Sequence, residues 1–166
     1  MVDAHVSSGT TKDPNLRALA ALRIAIGLFF VIFGEYKVFG SQFTLGGGFE
    51  AYIKEFLRGG AYPFMIPILK GILEDCPTFV AFLVAYGEFL IGISLVCGVW
   101  SRVASVFGFL LMTAMGLSAG YPGPHAALWM YWGASLNWSV FALCFAALAW
   151  GRPDDIFSVR RIKIQR

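Results

Sequence analysis

From Val103 to Gly120 the chain carries no charged side chain, and from Thr78 to Trp100 it carries one, Glu88. A bilayer core is crossed by about 20 mostly apolar residues in helical form. Two further runs read the same way. Leu16–Phe39 is interrupted only by Arg17, Arg23, Glu35 and Lys37, and no charge falls between Ala126 and Trp150. The last run is expected to become helical near Leu136, after an aromatic lead-in of Trp129, Tyr131 and Trp132 that suits a headgroup belt. Strands are excluded, because an open sheet edge cannot be satisfied in lipid. The expected fold is an all-α integral membrane four-helix bundle, with spans at about 16–39, 78–100, 103–120 and 136–150.

Composition agrees. Of 166 residues, 58% are hydrophobic and 14% charged, against about 25% charged in a soluble domain. Ten acids and 13 bases cannot give a soluble domain of this length its polar skin. An ordinary soluble enzyme and a disordered chain are therefore excluded. The net charge of +3 is small, and the bases form no single stripe, so the expected partner is the lipid bilayer and not nucleic acid. Cys76, Cys97 and Cys144 are an odd number with no C-x-x-C spacing. They support neither a disulfide framework nor a dithiol mechanism, and read as small packing residues. His125 is the sole histidine beyond the N-terminal stretch, so this chain offers no bis-histidine haem site and no His-rich metal site. Gly116–Gly120 matches G-x-S-x-G, yet it closes a span instead of joining a strand to a helix, as a nucleophile elbow requires.

The first 15 residues are polar, with no secretory cleavage pattern after them, and read as a flexible tail. Residues 151–166 read as a basic tail, with Asp154 and Asp155 in a polar exit turn. With four spans, both tails and the turn at Ser101–Arg102 share one side. That side holds Lys12, Arg17, Arg23, Arg102, Arg152, Arg160, Arg161, Lys163 and Arg166; the other holds Lys37, Lys54, Arg58 and Lys70. The positive-inside rule puts both termini in the cytoplasm. The connection over 40–77 then lies outside, and it is too long to be structureless. Within it Phe49, Tyr52, Ile53, Phe56 and Leu57 recur at helical spacing opposite Glu50, Lys54, Glu55 and Arg58, which predicts an amphipathic interfacial helix. Pro63–Leu73 is a second apolar piece, re-entrant or interfacial.

Projection at 100° per residue puts Arg23, Gly27, Phe30, Gly34 and Lys37 on one stripe of the first span. Ala81, Ala85, Glu88, Gly92 and Leu95 share a face of the second, and Ala104, Gly108, Met112, Met115 and Ala119 one of the third. Small residues let membrane helices approach closely, so these faces are expected inside the bundle. Glu88 is the main candidate site residue. A mid-membrane charge costs roughly 2.5–3.5 kcal/mol unless it is paired, hydrated or protonated. Arg23 is the expected partner, at comparable depth on a facing stripe, with Lys37 judged more distant. The pair reads either as a lock between two helices or as a proton, quinone or substrate site. Asn137 reads as a helix cap or an interhelical hydrogen bond.

Leu22-Arg23, Gly27, Gly34 and Lys37, followed by Gly87-Glu88-Phe-Leu-Ile-Gly92 and Gly98-Val-Trp-Ser-Arg102, resemble the DoxX/DoxD family over roughly Leu19–Met115. The long connection over 40–77 and the basic tail depart from that pattern. The resemblance implies a four-helix membrane protein of bacteria or archaea, in the cytoplasmic membrane. It further implies association with redox enzymes, as in the membrane subunit of thiosulfate:quinone oxidoreductase, with Glu88, Arg23, Lys37 and Arg102 as residues that bind a cofactor and the first two as catalytic candidates. The chain itself has no flavin fingerprint, cluster cysteines or paired haem ligands, so any redox chemistry must come from a quinone or from other protein subunits. Two other classes stay open: a non-catalytic accessory subunit, and a small lipid- or solute-binding membrane protein. A reporter fused after Arg166 is expected to be active only in its cytoplasmic form; activity of an export-dependent reporter there would mean a miscounted span.

Overall fold

A computed structural model describes residues 14–151. Most of the two expected tails, including Asp154 and Asp155, lies outside these residues. The described chain is helical, with no strand among its elements: α1 (Pro14–Phe39), α2 (Ser41–Thr44), α3 (Gly48–Gly59), α4 (Met65–Asp75), α5 (Pro77–Cys97), α6 (Ser101–Ala119), α7 (Leu128–Gly133) and α8 (Leu136–Trp150). α1, α5 and α6 are long and apolar enough to cross a membrane, and α8 is a shorter apolar helix. These helices fall close to the expected apolar runs. α1 starts two residues earlier, so Pro14 and Asn15 are helical and not part of a tail.

α1 runs antiparallel to α5 and packs along its length, α6 packs similarly along α8, and α5 joins the two pairs to one another. The α1–α5 seam is glycine-lined. A Cβ on Gly34 would lie 2.7 Å from the Phe89 backbone, and one on Gly92 would lie 2.6 Å from the Val31 nitrogen. Any larger side chain at either position must push the helices apart. On the other seam, Phe145 is fully buried with its ring over Gly108. The predicted stripes are the buried ones: Ala81, Ala85, Glu88, Gly92 and Leu95 on α5, and Arg23, Gly27, Phe30 and Gly34 on α1.

The segment 40–77 sits at one end of the bundle, termed here the loop end; the opposite end carries Arg102. The predicted amphipathic helix is α3. Its Phe49 and Ile53 are buried against α2, α4 and α5, with Phe43, Leu69, Ala81 and Ala85. Glu50 and Lys54 face outward, 3.4 Å apart. Gly47, at φ 78°, starts α3 from the left-handed region, which only glycine adopts cheaply. Pro63–Leu73, expected as a re-entrant or interfacial piece, lies mostly in α4, which packs on α3, α5 and α6. Two backbone bonds fasten the segment to the far side of the bundle, Tyr62 N to Leu117 O at 3.0 Å and Tyr121 N to Gly60 O at 2.8 Å. The rings of Tyr62, Tyr121 and Tyr131 cluster there.

Gly92→Val is expected to cost about 1–3 kcal/mol through overpacking, read as a lowered melting temperature in detergent. Gly87→Val is the control, because a Cβ there meets nothing within 4 Å. Equal melting temperatures for both variants would refute the tight α1–α5 seam.

Candidate functional site

The glycine seam fixes which charges meet. Gly27 lies against Val96, Gly34 against Phe89 and Val31 against Gly92. This antiparallel register sets Glu88 opposite residue 35. Lys37, two residues further along α1, reaches it, and its Nζ donates to both carboxylate oxygens, at 2.7 Å to Oε1 and 2.6 Å to Oε2. The side chain of Glu88 is 7% exposed and that of Lys37 is 21% exposed. The Lys37 ammonium also sits 5.0 Å from the centre of the Phe43 ring, within cation–π range. A carboxylate below and a ring face beside it hold the ammonium in an apolar setting.

Arg23 is therefore not the partner of Glu88, contrary to expectation. By the same register it lies twelve residues from the position facing Glu88, about 18 Å at ~1.5 Å per residue. Arg23 is fully buried, but level with the α5–α6 turn at the opposite end. Depth counted from the ends of apolar runs misled, because those ends are not set by the same plane. The useful signal is local: Gly34 precedes Lys37 by one turn and Gly92 follows Glu88 by one turn, so a glycine contact leaves both charges on its loop side.

Arg102 is also remote from the pair. It is exposed, and its Nε donates to the Ala149 carbonyl oxygen at 3.1 Å. That satisfies one of the last carbonyls of α8 and sets a cation at the negative end of the helix dipole. Of the four candidates, Glu88 and Lys37 come together, while Arg23 and Arg102 serve the other end. His125 is exposed at the loop end, and Cys76, Cys97 and Cys144 are free thiols.

The ion pair forms part of the wall of a cavity of about 490 Å³. This falls in the usual range for small-molecule sites, about 300–1,000 Å³. The wall draws on every long helix and on the loop-end segment: Phe29, Phe30 and Phe33 of α1, Phe43, Phe49, Tyr52 and Phe56 of α2 and α3, Leu69 of α4, Met112 and Met115 of α6, and Asn137, Trp138 and Phe141 of α8. Among the described residues, Lys37 and Glu88 are the charged members of that wall. The cavity has no signature in the sequence, because α2, α3 and α4 build its roof and their fold-back joins residues far apart in the chain. The apolar face of α3 was the sole hint. Asn137, expected to cap or to bond between helices, lies one residue into α8 and lines the cavity; Ser135 occupies the cap position.

Four apolar helices around a roofed, aromatic chamber that holds the Lys37–Glu88 ion pair define a membrane-type helical bundle with a site between its helices. The DoxX family model matches residues 18–121, well over half of the chain, and the protein belongs to the DoxX family. The resemblance read from the arginine, glycine, lysine and glutamate pattern is thereby borne out. No curated protein and no solved structure matches the chain.

Removing one partner of a buried ion pair costs about 3–5 kcal/mol, because the survivor stays charged and desolvated. Glu88→Gln and Lys37→Met are each expected to lower folded yield toward that limit, and the double change to recover part of it. Glu88→Gln and Arg23→Gln are expected to add independently, as distant sites do. Coupling of Glu88 to Arg23 in such a cycle, with none to Lys37, would overturn the register.

Proposed function

We propose that the protein is the membrane subunit of a DoxX-type oxidoreductase assembly and that its cavity receives the ring of a quinone. The observation that carries this reading is the Lys37–Glu88 pair in an otherwise apolar, aromatic wall. A quinone, when bound, supplies a two-electron, two-proton couple. The Lys37 ammonium is a donor for a ring carbonyl oxygen, and its charge favours electron density there. The Glu88 carboxylate holds that ammonium in position and can accept a proton at Oε1 or Oε2. Phe49, Trp138 and Phe141 offer ring faces for stacking, while the roof formed by α2, α3 and α4 limits access of water from the loop end. Electrons come from a partner subunit, because the chain has no electron carrier of its own. We place the protein in the cytoplasmic membrane with both termini inside, from the distribution of Lys and Arg; the cavity then lies toward the outer leaflet.

A second reading is favoured by the two-oxygen grip of Lys37 on Glu88. There the pair only locks α1 to α5, and the chain is a non-catalytic accessory subunit. Quinone extracted from the protein purified in mild detergent separates the two. A quinone site predicts enrichment over an unrelated membrane protein prepared alongside. Losing one charge-assisted hydrogen bond, about 1.5–3 kcal/mol, predicts at least a tenfold weaker affinity in Lys37→Met. No enrichment would sink the quinone reading, and enrichment indifferent to Lys37 would leave the pair as a lock.

A further inference from the structure

The helices around the cavity pack tightly at some seams and loosely at others. The glycine seam seals α1 against α5, Phe145 over Gly108 seals α6 against α8, and the roof is tied down by the backbone bonds of Tyr62 and Tyr121. The side between α1 and α8 differs. These two antiparallel helices touch over a short stretch only. Phe30 there packs edge-on against Phe145 at 5.0 Å, and Phe29 and Phe30 lie 6.5 and 6.4 Å from Phe141. Toward the loop end from this pin, α1 carries Phe33 and α8 carries Asn137. Both line the cavity, and both are exposed at the outer surface, Phe33 to 61%. Phe29 on α1, Tyr52 on α3 and Ala114 on α6 also line the cavity and are exposed, so the cavity opens along a rim to which α1, α3, α6 and α8 contribute. The part of that rim between α1 and α8 is the part where the two helices pack least.

We infer that the gap between Phe33 and Asn137 is a lateral window into the bilayer, through which a quinone-type amphiphile enters with its ring leading to Lys37 and its hydrocarbon tail left in the lipid. The inference rests on the quinone reading above and adds a route and an orientation to it. Three features support the occupant. A chamber of about 490 Å³ has room for a ring and its substituents, so a long tail needs an exit. Phe33 gives the window an apolar flank, which suits a tail and repels ions. Lys37 lies one turn beyond Phe33 on the same helix, so the charge that recognises a carbonyl oxygen stands just inside the opening. Asn137 opposite provides one neutral amide, which can hydrogen-bond a passing carbonyl without the desolvation cost of a charge.

Photocrosslinking tests the window. p-Benzoylphenylalanine replaces Phe33 in one full-length variant and Leu90 in another. Leu90 is equally exposed, at 61%, but lines the apolar groove between α5 and α6. A third variant carries the label at Phe29, in case position 33 does not tolerate it. Each protein is placed in phosphatidylcholine vesicles with decylubiquinone and irradiated, and adducts are counted by intact-protein mass spectrometry. Equilibrium binding of decylubiquinone to the unlabelled protein is measured in parallel. The window predicts adducts at position 33, or at 29 if 33 fails to fold, at least tenfold above those at 90. Binding without that excess overturns the window and, where Lys37→Met still weakens the binding, leaves the quinone reading standing, since the probe then enters elsewhere. Absence of binding overturns both.

Discussion

The close approach of α1 to α5 is the contact from which the rest of the molecule follows. Lipid tails are as apolar as leucine, so helices in a membrane gain little from burying hydrocarbon against one another and depend on packing instead. Gly34 against Phe89 and Gly92 against Val31 allow backbone contact that no larger residue permits. That contact fixes both separation and register. With the register fixed, Lys37 and Glu88 have no freedom to choose other partners, and their bonds at 2.7 and 2.6 Å follow from helix geometry. The ion pair is thus a result of the seam as well as a reinforcement of it.

The pair also explains how an acid persists beside a ring of phenylalanines. Desolvating a carboxylate costs several kcal/mol, and here one ammonium reaches both of its oxygens. The ammonium is in turn covered by the Phe43 ring at 5.0 Å, contributed by the segment that folds over the loop end. The roof over the cavity and the neutralisation of its charge are therefore one structural event: α2 brings Phe43 to Lys37 while α3 and α4 close the space above. Displacing this segment would open the chamber and expose the ion pair to water together.

Much of this could be read in the chain before any coordinates. Apolar run lengths located the three long apolar helices α1, α5 and α6 and the shorter α8, and the α3 amphipathic pattern survived because one face is buried and the other wet. The inward stripes were legible for the same reason, since small residues on one helical face have few other uses. What escaped is relational. Helix register depends on which glycine meets which backbone, and depth counted from span ends gave Glu88 the wrong cation, Arg23 in place of Lys37. The cavity depends on contacts between segments as distant as Phe43 and Trp138, which no local periodicity encodes. Arg102 was conspicuous as a charge flanking a span, but a charge at a helix end has a commoner task, and here it binds the Ala149 carbonyl.

The break between α7 and α8 has a mechanical consequence for the surrounding lipid. α8 has 15 residues, about 22 Å of helix, against a hydrocarbon core of about 30 Å. α1 beside it has 26 residues, about 39 Å. The bundle is thus taller on one flank than on the other. Trp129 and Trp132, exposed on α7 just before the short helix, set the interface low on that flank. Lipids covering a helix of that length would have to compress, a hydrophobic mismatch that costs fractions of a kcal/mol per ångström. Thinning of the bilayer at α8 would lower the headgroup layer toward Asn137, beside the proposed window.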